Sequence, residues 1–360
     1  MRFRIMTLFV LSIMIIPVML VSGCQKEFSS RPGPTATSLN TKTPTPYLSP
    51  TPSPTLYPTN TPTPEPLGSP ANPIVIGFIQ STADNLFFEA KNQFTADLSN
   101  LTNLSIQILV FDNFQAFELA VNDDQVHIAW LDPIEYILAS KNHQMKAALV
   151  SYHLGVKAYG VQILANSTSP FSPYFNPDTN KSTADNVTAL AQFSGTRPCF
   201  SQPTSLTGNL VPHGLFIQAG VPLSDPVITY STTSNIRAIY ITGICDFTAT
   251  YAISGDPRTS SELLAAFPDI LEKVEIIWRS DGIIPNLAVA YSPMVDLPME
   301  SIITEALISY GRSPEGQTIL TSANNYQIEG LEKIEDTDYD YMRYLLQVQD
   351  IDLYALLDAD

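Results

Sequence analysis

Gln202-Pro203-Thr204-Ser205-Leu206-Thr207-Gly208-Asn209-Leu210-Val211-Pro212 reads as a turn between a short strand at 197–202 and a helix at 208–219. Hydroxyls on Ser205 and Thr207 stand at the helix start, with Gly208 beside them. The first N–H groups of a helix have no partner within it, and the helix dipole is positive there. Such a turn suits a tetrahedral oxyanion. Ser and Thr are also the usual residues that cap a helix, so residue types alone leave capping open.

Outward from this turn the chain alternates. After it come a strand at 227–230, a helix at 235–241, a strand at 246–251, a helix at 260–270 and a strand at 274–278. Before it lies a similar series: strands at 74–80, 104–111, 126–131 and 159–165, with helices at 86–101, 114–121 and 134–140. The polar stretch 166–183 separates the two series, and Pro285 marks the return before a strand at 287–291 and C-terminal helices. Strand–helix alternation predicts mostly parallel sheets covered by helices. Two series predict an α/β protein of two doubly wound lobes with a ligand cleft between them, joined by two crossing segments. The expected partition is 74–165 for the first part of lobe 1, 166–285 for lobe 2, and 286–360 for the lobe 1 return and C-terminal helices. Ligands of open α/β sheets sit at the carboxyl ends of strands.

The leader has a different character. Arg2 and Arg4 precede an apolar run at 5–21, which ends in Val21-Ser22-Gly23-Cys24. Basic start, apolar run and small residues before a Cys predict a lipoprotein signal peptide over 1–24, cleaved before Cys24, whose thiol takes the lipid. Residues 25–73 then form a Pro/Thr-rich, disordered tether, as in Thr43-Pro44-Thr45-Pro46 and Thr61-Pro62-Thr63-Pro64. At ~3.1 Å per residue, a polyproline-like tether reaches on the order of 100 Å. The expected location is extracytoplasmic, lipid-anchored to the cell membrane.

Composition narrows the function. The chain carries 18 Lys+Arg against 35 Asp+Glu, a net charge of −17, which argues against nucleic acid and against adsorption to an anionic bilayer. Hydrophobic residues at 44% supply an ample core. Cys199 and Cys245 lie on strands of one lobe, where a disulfide and a pair of buried thiols are both compatible with the pattern. The chain contains no His-Glu-x-x-His, no Gly-Lys-Ser/Thr phosphate loop and no Gly-x-Ser-x-Gly, and His127, His143, His153 and His213 lack ligand spacing. No enzyme activity, metal or cofactor is expected.

Four stretches carry a resemblance: Val126-His127-Ile128-Ala129-Trp130-Leu131-Asp132-Pro133; the turn at 202–212; Val274-Glu275-Ile276-Ile277-Trp278-Arg279-Ser280 with Ile284-Pro285; and Ser313-Pro314-Glu315-Gly316 with Asp338-Tyr339. In this order, from residue 74 to about 345, the chain resembles the phosphate/phosphite/phosphonate-binding proteins of ABC importers, which have the type 2 periplasmic binding fold. The resemblance implies a small oxyanion ligand held by Ser205, Thr207, Gly208 and Asn209, with Tyr159 on the first crossing and Ser81 and Thr82 after the first strand. It implies a permease and an ATPase as partners, with the membrane reached through Cys24. Several positions depart from the family pattern. Leu206 replaces a Thr, Phe114 a Tyr and Ser234 roughly a His, while Ile253 falls near a carboxylate that aminoalkyl-phosphonate binders use. Asp132 replaces a Gly. Asp132-Pro133-Ile134-Glu135 fits a helix capping box, and a carboxylate at a cleft edge would also repel anions and welcome an amine. A receptor feeding a membrane sensor, and a divergent binder of another small molecule, are the alternative readings.

Overall fold

The computed structural model describes residues 65–80, 85–141 and 144–357. Cys24, most of the tether, Ser81 and Thr82 lie outside them.

Two large sheets make two lobes. Lobe 1 is built on β1 (Ile74–Ile79), β2 (Ile106–Phe111), β3 (Ile128–Leu131), β4 (Lys146–Tyr152), β13 (Ala288–Tyr291) and β14 (Gly330–Lys333), in the spatial order β14-β4-β13-β3-β1-β2. Its helices are α1 (Asn85–Thr102), α2 (Phe114–Asn122), α3 (Pro133–Ala139), α9 (Leu297–Arg312) and α10 (Pro314–Asn324). Lobe 2 is built on β5 (Ala158–Asn166), β8 (Pro198–Phe200), β9 (Val227–Ile228), β10 (Phe247–Ala252) and β11 (Val274–Arg279), in the order β11-β5-β10-β8-β9. The hairpin β6 (Phe175–Asn176) and β7 (Lys181–Ser182) lies beside it, and β12 (Ile284–Pro285) pairs with β5. Helices α4 (Asn186–Leu190), α5 (Val211–Gln218), α6 (Thr232–Ile241), α7 (Ser261–Ala266) and α8 (Ile270–Lys273) cover lobe 2, and α11 (Asp340–Gln347) and α12 (Leu353–Leu357) end the fold.

Neither sheet is mostly parallel, contrary to the expectation from alternation. β1 runs parallel to β2 and β3, but β13 is antiparallel to both β3 and β4, and β5 is antiparallel to β10 and β11. The crossings explain this. A chain that enters a lobe from its neighbour starts at the cleft end and must run away from it. Strands built by right-handed strand–helix–strand crossovers run towards the cleft instead.

The partition is corrected in three places. β5, expected in lobe 1, hydrogen-bonds to β10 and β11, so the first crossing is the short segment 153–157 and Tyr159, expected on that crossing, lies on β5. Helix α11, expected to return to lobe 1, packs on α5 of lobe 2: Tyr341 donates to Gln218 Oε1 at 2.8 Å and Gln349 Nε2 to the Leu210 carbonyl at 2.8 Å. The close approach needs Gly214, where an added Cβ would stand 2.3 Å from the Leu345 carbonyl oxygen. Finally, residues 65–73 belong to the fold rather than to the tether. Leu67 packs on the lobe 1 core, and the Ser105 N–H donates to the Gly68 carbonyl at 2.8 Å. Proline content hid this, because the turn is held by backbone bonds and a single Leu.

One apolar core runs along the inner faces of both sheets and under α11. Separate cores fill the outer face of lobe 1, beneath α1, α9 and α10, and the outer face of lobe 2. Cys199 and Cys245 sit in the latter and are disulfide-bonded, with Cα atoms 5.6 Å apart. The strands after the crossings carry unbroken buried runs, Val161 to Ala165 and Leu287 to Tyr291, as strands covered on both faces do.

Candidate functional site

In lobe 1, β1, β3 and β4 end at one edge of the sheet, and β13 and β14 begin there. In lobe 2, β8, β10 and β11 end at one edge, and β5 begins there. The two crossings join these edges, so loops from both lobes border one cleft.

On the lobe 2 side the turn after β8 is rigid. Ser205 caps a π-helical turn, Leu206–Leu210, that runs into α5. Its hydroxyl accepts the Gly208 N–H at 3.1 Å, and its carbonyl takes the N–H groups of Asn209 and Leu210 at 3.0 and 2.9 Å. Gly208 presses against Ser201: an added Cβ would meet the Ser201 Oγ at 2.2 Å. Asn209 Nδ2 donates to the Ser201 carbonyl at 3.0 Å. The structure therefore uses Gly208 and Asn209 as frame. Behind them, Asn235 Nδ2 donates to Ser201 Oγ at 3.0 Å, and Thr229 Oγ1 donates to Asn235 Oδ1 at 2.6 Å. Ser201, Thr229 and Asn235 were not singled out in the sequence. Asn235 is the fourth residue of α6, and its full burial, which marks the cluster, shows only in the fold.

The N–H groups of Leu206 and Thr207 find no backbone acceptor among the described residues, nor does the Thr207 hydroxyl find a partner there. The Ser205 hydroxyl accepts from Gly208 but keeps its own proton to donate. Ser234 is less free. Its N–H and hydroxyl are both engaged by the Ser231 hydroxyl, at 3.1 and 2.9 Å, which caps α6.

On the lobe 1 side Asp132 caps α3 as predicted, with Pro133 behind it. The box is asymmetric: Glu135 accepts the Asp132 N–H at 2.8 Å, while the Asp132 carboxylate approaches the helix without a hydrogen bond of ordinary geometry. Asp132 is open to solvent, yet enough protein surrounds it to raise its pKa through lost hydration. Exposure combined with enclosure is what a residue facing a narrow cleft shows. Glu135 is pushed up to about 8, first by burial and then by the Asp132 charge. Burial, and then the same charge, also raise the pKa values of Tyr159 and Tyr326. Tyr326, which precedes β14, stacks on His153 of the first crossing with ring centroids 4.6 Å apart. Thus Asp132, Glu135, Tyr159 and Tyr326 share one space. Glu135 and Tyr326 were missed in the sequence reading, Glu135 because its capping role accounted for it. Among the described residues no cluster of three or more His, Cys, Asp or Glu could hold a metal.

Two α/β lobes joined by two crossings, with polar loops bordering the cleft, define a solute-binding protein of the type 2 periplasmic class. Residues 76–339 match the family model for the periplasmic substrate-binding protein of phosphonate ABC transporters, and the chain belongs to that family. This is a family of transport binding proteins, not of enzymes, and it works with a membrane permease and ATPase. Among solved structures the chain is similar to XAC2383 from Xanthomonas citri bound to ATP, with 13% identity over 77% of this chain and 98% of that one, at a TM-score of 0.54. The chloride-bound form of XAC2383 gives 13% identity over 80% and 99%, at 0.53. PhnD1 from Prochlorococcus marinus, in complex with methylphosphonate, gives 14% identity over 77% and 98%, at 0.47. These likenesses concern the fold. No curated protein matches the chain in sequence.

Proposed function

We propose that this protein is a lipid-anchored receptor that captures a small oxyanion of the phosphate, phosphite or phosphonate class in the cleft and delivers it to an ABC importer. The observation that carries the ligand class is the unused donor set at the head of the 206–218 helical segment: two N–H groups and the hydroxyls of Ser205 and Thr207. Such donors suit an anion without a basic side chain. Tyr159, at the start of β5, feels the charge of Asp132 across the cleft. Anchoring rests on Val21-Ser22-Gly23-Cys24, and no helix among the described residues is long and apolar enough to cross a membrane.

Calorimetry with phosphate, phosphite, methylphosphonate and methanesulfonate tests the ligand class. Each charge-assisted bond contributes roughly 1.5–3 kcal/mol, so Ser205→Ala with Thr207→Ala weakens binding at least about a hundredfold. Equal affinity in the double variant would exclude the turn as the anion site. Anchoring is tested separately, by labelling with a radioactive fatty acid, which wild type is expected to incorporate and Cys24→Ala is not.

A further inference from the structure

A cavity of about 490 Å³ opens beside the second crossing, between β7, the start of α4 and the end of β11. Its size lies within the roughly 300–1,000 Å³ of small-ligand sites. Asp132, Tyr159, Ser205 and Thr207 do not line it, while Ile253, one residue beyond β10, places one wall at the cleft edge of lobe 2. Its walls include Arg279, Lys181, Asn186, Trp278 and Tyr341.

Arg279 is the unusual member. It is only 8% exposed. Its Nε and Nη2 donate to Gln162 Oε1 at 3.2 and 2.8 Å, its Nη1 donates to Asn180 Oδ1, and its guanidinium lies 4.6 Å from the centre of the Phe175 ring. All its oxygen partners are neutral amides, and it forms no ion pair among the described residues. The carboxylate whose charge reaches it is Asp256, which is held by Arg258 at 2.7 Å. Two guanidiniums therefore share one carboxylate. Gln162 is fully buried and turns its only acceptor to Arg279, which leaves its Nε2 with no partner among the described residues.

A buried cation without a counter-charge is costly. A guanidinium is also the side chain whose planar fork best fits a carboxylate or phosphate. Lys181 adds a second, exposed positive charge at the rim. Two carboxylates line the cavity as well. Asp185 spends its oxygens on the Thr188 N–H and hydroxyl, each at 2.9 Å, and Asp281 sits on the solvent side. We propose that this cavity is a second binding site, for a small organic anion whose carboxylate or phosphate group meets Arg279.

Trp278 lines the cavity, and Trp130, the other tryptophan, lies in the lobe 1 core, so Trp278 emission reports this site. The full chain is titrated with citrate, glycerol 3-phosphate and sulfate at constant ionic strength. At least one probe should shift the emission saturably at millimolar concentration or below. Arg279→Gln should weaken that response at least tenfold, and Lys181→Ala about threefold. Ser205→Ala with Thr207→Ala should leave it unchanged. Lys181 is exposed, so its variant decides the matter if Arg279→Gln does not fold. No saturable response to any probe would overturn the proposal. So would a response that Lys181→Ala leaves intact, or one that the cleft variant abolishes.

Discussion

Lys91 on α1 is the least comfortable residue of lobe 1, and replacing it with Met should stabilise the protein. It is 2% exposed, and its Nζ has no hydrogen-bond partner among the described residues. Nζ lies over the Phe78 ring, 3.0 Å from its centre, and 3.9 Å from the centre of Phe87. Burial pulls its pKa down from 10.5 to about 6. An amine that is neutral in the native state and charged in the unfolded chain costs on the order of 1.36 kcal/mol for each pH unit below 10.5, or about 5 kcal/mol at pH 7. The neutral amine keeps contacts with the two ring faces worth ~1–2 kcal/mol that Met would lose, which leaves a net gain of about 3 kcal/mol. Met keeps the length of the chain and removes the amine. Lys91→Met is therefore expected to raise stability by about 3 kcal/mol at pH 7. The sign with pH follows from linkage. Between about 6 and 10.5 the unfolded chain holds the proton that the native state has released, so wild-type stability from this group rises with pH. The advantage of the Met variant should shrink across that window and vanish near its top. Urea denaturation followed by circular dichroism at pH 6, 8 and 10 measures it. A variant that is no more stable than wild type at pH 6, or whose advantage is flat with pH, would show that the amine is satisfied.

Three further outcomes are expected. The Cys199–Cys245 bond closes a span of 46 residues, so reduction or Cys199→Ser with Cys245→Ser should cost about 4 kcal/mol in the chain-entropy model, read as a lower denaturation midpoint with dithiothreitol. Glu135 holds its proton to about 8 in the native cleft and to about 4.5 in the unfolded chain, so its contribution to stability falls as pH rises through that interval. Its ionisation places a second negative charge beside Asp132, so oxyanion affinity should weaken above pH 8 in wild type and less in Glu135→Gln, a comparison that cancels the ligand's own titration. A fragment starting at residue 65 should be more stable than one starting at 74 by roughly 2 kcal/mol, the worth of burying part of Leu67 and keeping the Gly68–Ser105 bond, seen as a higher melting temperature.

The two-lobed plan was legible because strands and helices alternate with little noise. Runs such as 126–131 and 274–278 are apolar enough to announce buried strands, and Pro285 marks the return. Strand direction was not legible. Nothing in the residues of β5 distinguishes a strand entering from the neighbouring lobe from one that follows a crossover helix, because both are buried on two faces. β4 and β14 were missed for a related reason. Lys146-Ala147-Ala148-Leu149 has helix-forming residues, and Gly330-Leu331-Glu332-Lys333 is short and charged, yet both are held by ladder bonds to neighbours far away in the chain. At the site, the sequence marks the turn at 202–212 but not the division of labour within it. Ser205 and Thr207 differ by two positions and look alike. Only the fold shows that the first binds Gly208 while the second has its hydroxyl unused.

The cleft pairs a neutral donor set with the Asp132 carboxylate and with Glu135, which holds its proton to about 8, and the balance between them sets what can bind. Helix-terminal N–H groups and hydroxyls bring partial charges to an anion but no full positive charge, so any nearby carboxylate acts on the ligand undiminished by a cation. The Asp132 carboxylate meets the Glu135 N–H without a hydrogen bond of ordinary geometry, and enclosure reduces the water that would screen its charge. Replacing Asp132 with Gly, the residue usual at this position in the family it resembles, removes that charge and one helix cap. The cap costs about 1 kcal/mol of stability. If the charge reaches the ligand, a simple oxyanion should bind tighter to Asp132→Gly and an amine-bearing phosphonate weaker. Opposite movement of the two affinities in one variant cannot come from a lost cap, which would shift both together. Calorimetry with methylphosphonate and 2-aminoethylphosphonate on wild type and Asp132→Gly therefore separates a cap from a selectivity residue. Unchanged affinity for both ligands would confine Asp132 to the start of α3.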